Sequence, residues 1–146
     1  MAPALEMSQA NPSVIVTGVS GNLGRRLLPL LNGFRITGID LSPPTALPAS
    51  TLERFVSLDL GDETSCRHMV AAFKQANPAA VVHLAFVIDP VRAGILDVDR
   101  MWRINVAGTA RVMEAITEHN RTGGAVTKFV YPSSVSAYGP DLPGEV

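Results

Sequence analysis

Residues 14–24 read Val-Ile-Val-Thr-Gly-Val-Ser-Gly-Asn-Leu-Gly, and the fold turns on this stretch. Its β-branched opening has no alternating polar side chains, the pattern of a strand buried on both faces. Gly18, Gly21 and Gly24 follow at three-residue intervals, after which the apolar spacing becomes helical. A strand, a glycine turn and a helix in that order form a phosphate cradle. Glycine lets the backbone turn tightly and approach a pyrophosphate, while the free N–H groups and positive dipole end of the helix face the anion. The signal gains weight from Asp40, at the end of the next predicted strand.

The first helix takes an apolar face from Leu23, Leu27, Leu28, Leu30 and Leu31, and Pro29 inside it predicts a kink or an early end. Arg25 and Arg26 read as solvated residues, with a phosphate contact as the alternative. Residues 34–40 form the second strand. In a doubly wound sheet its Asp40 stands beside an adenosine ribose and accepts from both hydroxyls; without the glycines it would read as a cap for the turn at Ser42-Pro43-Pro44. A 2′-phosphate there would meet a repulsion of roughly 4 kcal/mol per unit-charge pair at about 4 Å and intermediate dielectric. No Lys or Arg stands at positions 41–46 to offset it, so NAD is expected over NADP.

Residues 54–60 give a third strand ending in Asp59-Leu60. Asp62 can cap the following helix, whose Cys66, Met69, Val70 and Phe73 share a face before Asn77-Pro78 stops it. Spacing leaves Asp59 open between a loop cap and a contact with the adenine amino group. Residues 80–85 make the fourth strand; His83 within it reads as a satisfied core histidine, with catalysis as the alternative. A loop at residues 86–94 follows, at the functional edge of the sheet. The longest helical pattern covers residues 98–119, with Val98, Met101, Trp102, Asn105, Thr109, Val112, Met113 and Ile116 on one seam and Gly123 as terminator. Asn105 is the polar member of that seam, so its amide is expected to hold backbone or water, either structurally or in support of a site. The final strand, 127–131, leads into Pro132-Ser133-Ser134-Val135-Ser136-Ala137-Tyr138-Gly139. A serine just past a central strand can reach a substrate oxygen beside a nicotinamide, though serines also occupy ordinary turns.

The bulk properties fit this reading. A chain of 146 residues suits one domain, and a formal charge of −1 with only two lysines gives no electrostatic case for nucleic acid or an anionic membrane. The longest uncharged apolar run is too short to cross a bilayer, and residues 1–12 lack a signal-peptide pattern and read as a loose tail. The single cysteine, Cys66, cannot form an internal disulfide and reads as structural, so a cytoplasmic location is expected. No metal site is read from the sequence.

Taken together, Thr17-Gly-Val-Ser-Gly-Asn-Leu-Gly24, Gly38-Ile-Asp40, Asp59-Leu60, His83-Leu-Ala85, Asn105-Val-Ala-Gly-Thr109 and Ser133-Ser-Val-Ser-Ala-Tyr-Gly139 resemble the extended short-chain dehydrogenase/reductases, the NAD-dependent epimerase/dehydratase family. The resemblance covers almost the whole chain from residue 14 onward. It implies an α/β fold with a doubly wound parallel sheet, Rossmann-like, of strand order 3-2-1-4-5, occupying residues 13–146. It further implies an NAD site in which Gly18, Gly21, Asn22, Leu23 and Gly24 serve the pyrophosphate, Asp40 the adenosine ribose, and Asp59 with Leu60 the adenine. Leu84, Ala85 and Phe86 would line the path to the nicotinamide ribose, with Asn105 bracing the site. Ser134 would match the catalytic serine or threonine that polarises the hydroxyl or carbonyl of a nucleotide sugar or similar substrate.

One departure is large. The family's acid/base pair is a tyrosine with a lysine four positions later, whereas Tyr131 is followed at that spacing by Val135 and Tyr138 by Leu142. The resemblance places the catalytic tyrosine some twenty residues beyond the serine. The chain therefore reads as the amino-terminal part of such an enzyme, incomplete at the carboxyl-terminal side of the sheet, without the substrate-binding region, and without useful turnover of its own. The final strand becomes an exposed edge under this reading, so a homodimer or edge-mediated self-association is expected. A dinucleotide-sensing module without chemistry is the competing reading.

Overall fold

The computed structural model describes residues 11–88, 94 and 96–134. Five strands form one parallel sheet: β1 (Ser13–Thr17), β2 (Arg35–Asp40), β3 (Arg54–Ser57), β4 (Ala80–His83) and β5 (Lys128–Val130), in the order β3-β2-β1-β4-β5. This is the predicted 3-2-1-4-5 order. All five residues of β1 are buried, whereas β3 and β5 show half-buried and exposed positions, as a central strand and two edges require. Tyr131, just past β5, is exposed, as is Val130 within it.

Alternation along β1 divides the core in two. Ile15 points into a cluster with Ile39, Met69, Phe73, Val81 and Val112, while Val14 and Val16 pack with Val19, Leu28 and Ile36 on the other face. The first face is covered by α2 (Ser65–Ala76) and by the helix that ends at Arg121; on the second, Leu28 packs from the 3-10 turn that follows α1 (Asn22–Leu27). Asn77 closes α2 in the left-handed conformation, φ 43°, where an asparagine is tolerated. Asp62 stands two residues before the cap: its Oδ1 accepts from the Thr64 N–H at 2.7 Å and orders the approach to α2, while Thr64 holds the cap position. Among the described residues no helix is long and apolar enough to cross a membrane.

Two predicted helical faces are corrected. α1 has six residues, because Pro29 turns Leu28–Leu30 into a 3-10 turn; only Gly24 and Leu28 are buried, and Leu23 and Leu30 are exposed. The long helix is three pieces: α3 (Val98–Trp102), a π-helical turn (Arg103–Ala107) and α4 (Gly108–Arg121). A π turn carries an extra residue, so the seam before it is rotated relative to the seam after it. Ile104, Asn105, Gly108, Val112, Ala115 and His119 face inward, and Val98, Trp102 and Met113 face solvent instead of joining the predicted seam.

Gly24 joins α1 to the turn before it. A methyl group there would overlap the Gly18 carbonyl oxygen and lie 2.7 Å from the Val19 Cα, both backbone atoms that cannot rotate away. Gly33, by contrast, has nothing within 4 Å of that position. Gly24→Ala is therefore expected to lose about 2 kcal/mol or more in urea unfolding, and Gly33→Ala to stay within about 0.5 kcal/mol of the wild type. Equal effects of the two would contradict this packing.

Candidate dinucleotide cleft

The carboxyl ends of the central strands open on a cleft of about 320 Å³. Its walls come from Gly18, Ser20 and Gly21 after β1, residues 39–41 at the end of β2, 58–60 after β3, 84–87 after β4, and Ile104. This is the crevice where the strand order reverses, the place ligands occupy in open parallel sheets.

The turn after β1 is shaped by Gly18, with φ +73° and its N–H donating to the Ile39 carbonyl at 2.8 Å. A Cβ there would sit 2.6 Å from both the Ala85 nitrogen and the Leu84 carbonyl carbon, so only glycine lets the turn lie against the segment after β4. Asn22 and Leu23 are exposed at the start of α1. With Gly24 they sit in its first turn, where N–H groups have no acceptor inside the helix.

Asp40 lies at the mouth of this turn. Its Oδ2 accepts from the Ser20 N–H at 2.9 Å and its Oδ1 from the Leu41 N–H at 2.7 Å, while the Ser20 hydroxyl donates to the Ser42 carbonyl. Each carboxylate oxygen keeps a lone pair for a further donor. Asp59 both lines the cleft and caps its loop: Oδ1 accepts from the Gly61 N–H at 2.8 Å, and Oδ2 from Arg100 of α3 at 3.2 Å. Leu60 is buried beneath it, its carbonyl accepting from Arg111 at 3.1 Å.

Leu84, Ala85 and Phe86 form the floor on the other side, the first held by its N–H on the Thr17 carbonyl at 3.1 Å. Asn105 does not line the cleft. It stands behind the floor, where Oδ1 accepts from the Val87 N–H at 2.7 Å and Nδ2 donates to the Val87 carbonyl at 3.0 Å. Its amide thus holds backbone, as its place in an apolar seam predicts. Ser134 is exposed, four residues beyond β5, and is not among the residues lining the cleft; Ser136, Tyr138 and Gly139 lie outside the described residues, as do 89–93 of the expected loop.

Sequence reasoning passed over Ser20, whose N–H joins the turn to Asp40; its place inside the glycine spacing was the available signal. It also passed over Val87, which no side-chain pattern marks because it acts through its backbone. Cys66 is half-buried, and burial pushes its thiol up, which suits a packing role.

The model of the NAD dependent epimerase/dehydratase family matches residues 14–145. The chain belongs to that family. An uncharacterized epimerase/dehydratase of Staphylococcus saprophyticus is 24% identical over 140 residues, covering 89% of this chain and 38% of that protein. Among solved structures, the Bordetella bronchiseptica enzyme WbmH in complex with NAD+ is 26% identical with a TM-score of 0.65, covering 88% of this chain and 40% of that one. The UDP-glucose-4-epimerase of Stenotrophomonas maltophila with bound NAD and formylated UDP-arabinopyranose shares the fold, with a TM-score of 0.68, 21% identity, and coverage of 92% and 40%. The chain spans about two fifths of the length of these relatives.

His83 is the buried titratable group beneath the cleft. It is 1% exposed, its two ring nitrogens contact the Thr17 and Thr109 hydroxyls at 2.6 and 2.9 Å, and burial lowers its pKa from 6.5 to about 4. It is therefore a satisfied core residue. Because the folded ring resists protonation, the unfolded chain binds more protons between these two values, and stability is lost as pH falls through that window. From about pH 7.5 to about pH 5 this group is expected to remove roughly 2 kcal/mol. Urea unfolding of the wild type against His83→Gln checks this: the variant lacks that component, and an identical pH dependence in both would contradict it.

Proposed function

We propose that this chain binds NAD across the cleft and forms the cofactor-binding part of an oxidoreductase that works by hydride transfer on a nucleotide sugar or a similar hydroxyl compound. The observation that carries the reading is the Asp40 carboxylate bonded to the Ser20 N–H at the mouth of the glycine turn. One group thereby shapes the phosphate cradle and faces the adenosine ribose. Gly18, Gly21 and the first-turn amides of Asn22, Leu23 and Gly24 receive the pyrophosphate. Asp59 and Leu60 border the adenine, and Leu84, Ala85 and Phe86 border the nicotinamide ribose. Asn105 acts through Val87. Bound NAD supplies the hydride acceptor.

The chain's own residues supply less of the chemistry. Ser134 is the residue proposed to hydrogen-bond the substrate oxygen. The proton that leaves that oxygen needs a base, and neither Tyr131 nor Tyr138 has a lysine four positions on. Loss of a general acid/base typically removes about a hundred- to ten-thousand-fold of rate, so the chain alone is proposed to bind NAD without useful turnover.

Calorimetric titration tests the binding. NAD is expected to bind, NADP roughly tenfold or more weakly, and Asp40→Ala to reduce NAD affinity by about tenfold while narrowing the preference. No detectable NAD binding, or equal affinity for the two dinucleotides, would overturn the reading. Robust NADH formation from a nucleotide sugar by this chain would overturn its inactivity.

A further inference from the structure

The hydrogen bonds around His83 have a determined direction. The Thr109 hydroxyl donates to the Asn105 carbonyl at 2.7 Å, and a hydroxyl has one proton to give. At its contact with His83 it therefore accepts, and Nε2 carries the ring hydrogen. The neutral ring then presents Nδ1 as an acceptor, to which Thr17 donates. With its proton so placed, Thr17 Oγ1 accepts the Ala85 N–H at 3.3 Å. Phe129 and Tyr131 stack on the imidazole with centroids 6.2 and 5.7 Å away, which holds its plane.

The path has a second end on the same segment. From Ala85 it runs through Thr17, His83 and Thr109 to the backbone of Asn105, whose side-chain amide returns to both polar groups of Val87. Asn105, in the π turn, and Thr109, at the start of α4, are four residues apart and so share a helix face, which lets the Thr109 hydroxyl reach the Asn105 carbonyl. Replacing one hydroxyl by a methyl group would leave a buried donor and a buried acceptor without partners.

We infer that this circuit is a positioning device: His83 and Thr109, which are not among the residues lining the cleft, fix the backbone of residues 85–87 against which the nicotinamide half of a dinucleotide lies. The inference rests on the NAD reading proposed above. It divides the cleft, because the adenosine side is built on Asp40 and Asp59, which share no hydrogen bond with the circuit.

The test compares NAD with adenosine monophosphate on the 146-residue chain. Thr109→Val keeps shape and branching but removes both hydroxyl roles. It is expected to weaken NAD roughly fivefold or more while leaving adenosine monophosphate within about twofold, and Thr109→Ser to restore NAD binding. Equal losses for both ligands, unchanged NAD binding, or no rescue by serine would overturn the positioning role. A wild-type chain that binds neither ligand overturns the NAD reading instead. Amide hydrogen exchange without ligand keeps the circuit testable in that case: Thr109→Val should speed exchange at Ala85 and Val87 but not at Ile36 and Ile39, and unchanged rates would contradict it. Thr109→Ala, a better helix former, replaces the valine variant if that fails to fold.

Discussion

The hydrogen bond from the Ser20 N–H to Asp40 Oδ2, 2.9 Å long, ties the turn after the central strand to the end of its neighbour. It forms only because β1 and β2 are parallel and in register, Thr17 opposite Ile39, so that both strands end at one edge of the sheet. The Gly18 N–H on the Ile39 carbonyl is a second tie across the same gap. Together they set the turn against a fixed carboxylate. The glycines allow the backbone shape, but it is this cross-strand attachment that gives the turn a carboxylate neighbour, the feature on which the proposed discrimination between dinucleotides rests.

Much of the sheet was legible because burial on both faces leaves a plain record. The runs at Val14 and Val81 lack polar alternation, and each proved to be an inner strand. Asp40 was legible for a related reason, as the last residue of a predicted strand, whereas Asp59 lies two residues past the end of β3 and spacing left it open between a loop cap and an adenine contact. Helical faces were less legible. A π turn adds a residue without a composition that announces it, so a seam drawn at ordinary helical spacing through Asn105 could not hold on both sides. In α1, apolar leucines outnumber the positions that a six-residue helix can bury, and Gly24, with no side chain to signal it, takes the closest approach.

Two buried histidines show what sequence leaves out. His83 and His119 both sit among apolar residues, and burial holds both rings toward the neutral form. Yet His83 has a hydroxyl at each nitrogen, while neither nitrogen of His119 has a hydrogen-bond partner among the described residues, its ring lying edge-on to Phe73 at 5.8 Å. The difference arises from residues 66 positions before His83 and 26 after it, brought to the ring by the β1–β4 pairing and by α4. Local pattern cannot foresee such partners, whereas a parallel sheet of known order makes Thr17 and His83 neighbours at once.

In the proposed complex one dinucleotide spans the strand ends from Asp40 to the floor after β4. Mapping backbone amide shifts during an NAD titration tests it most directly. Perturbations are expected at Gly18, Ser20, Gly21 and Leu41 together with Leu84, Ala85 and Val87, with little change along α2. Shifts confined to α2 and the outer face of α4, or none in the glycine turn, would contradict it.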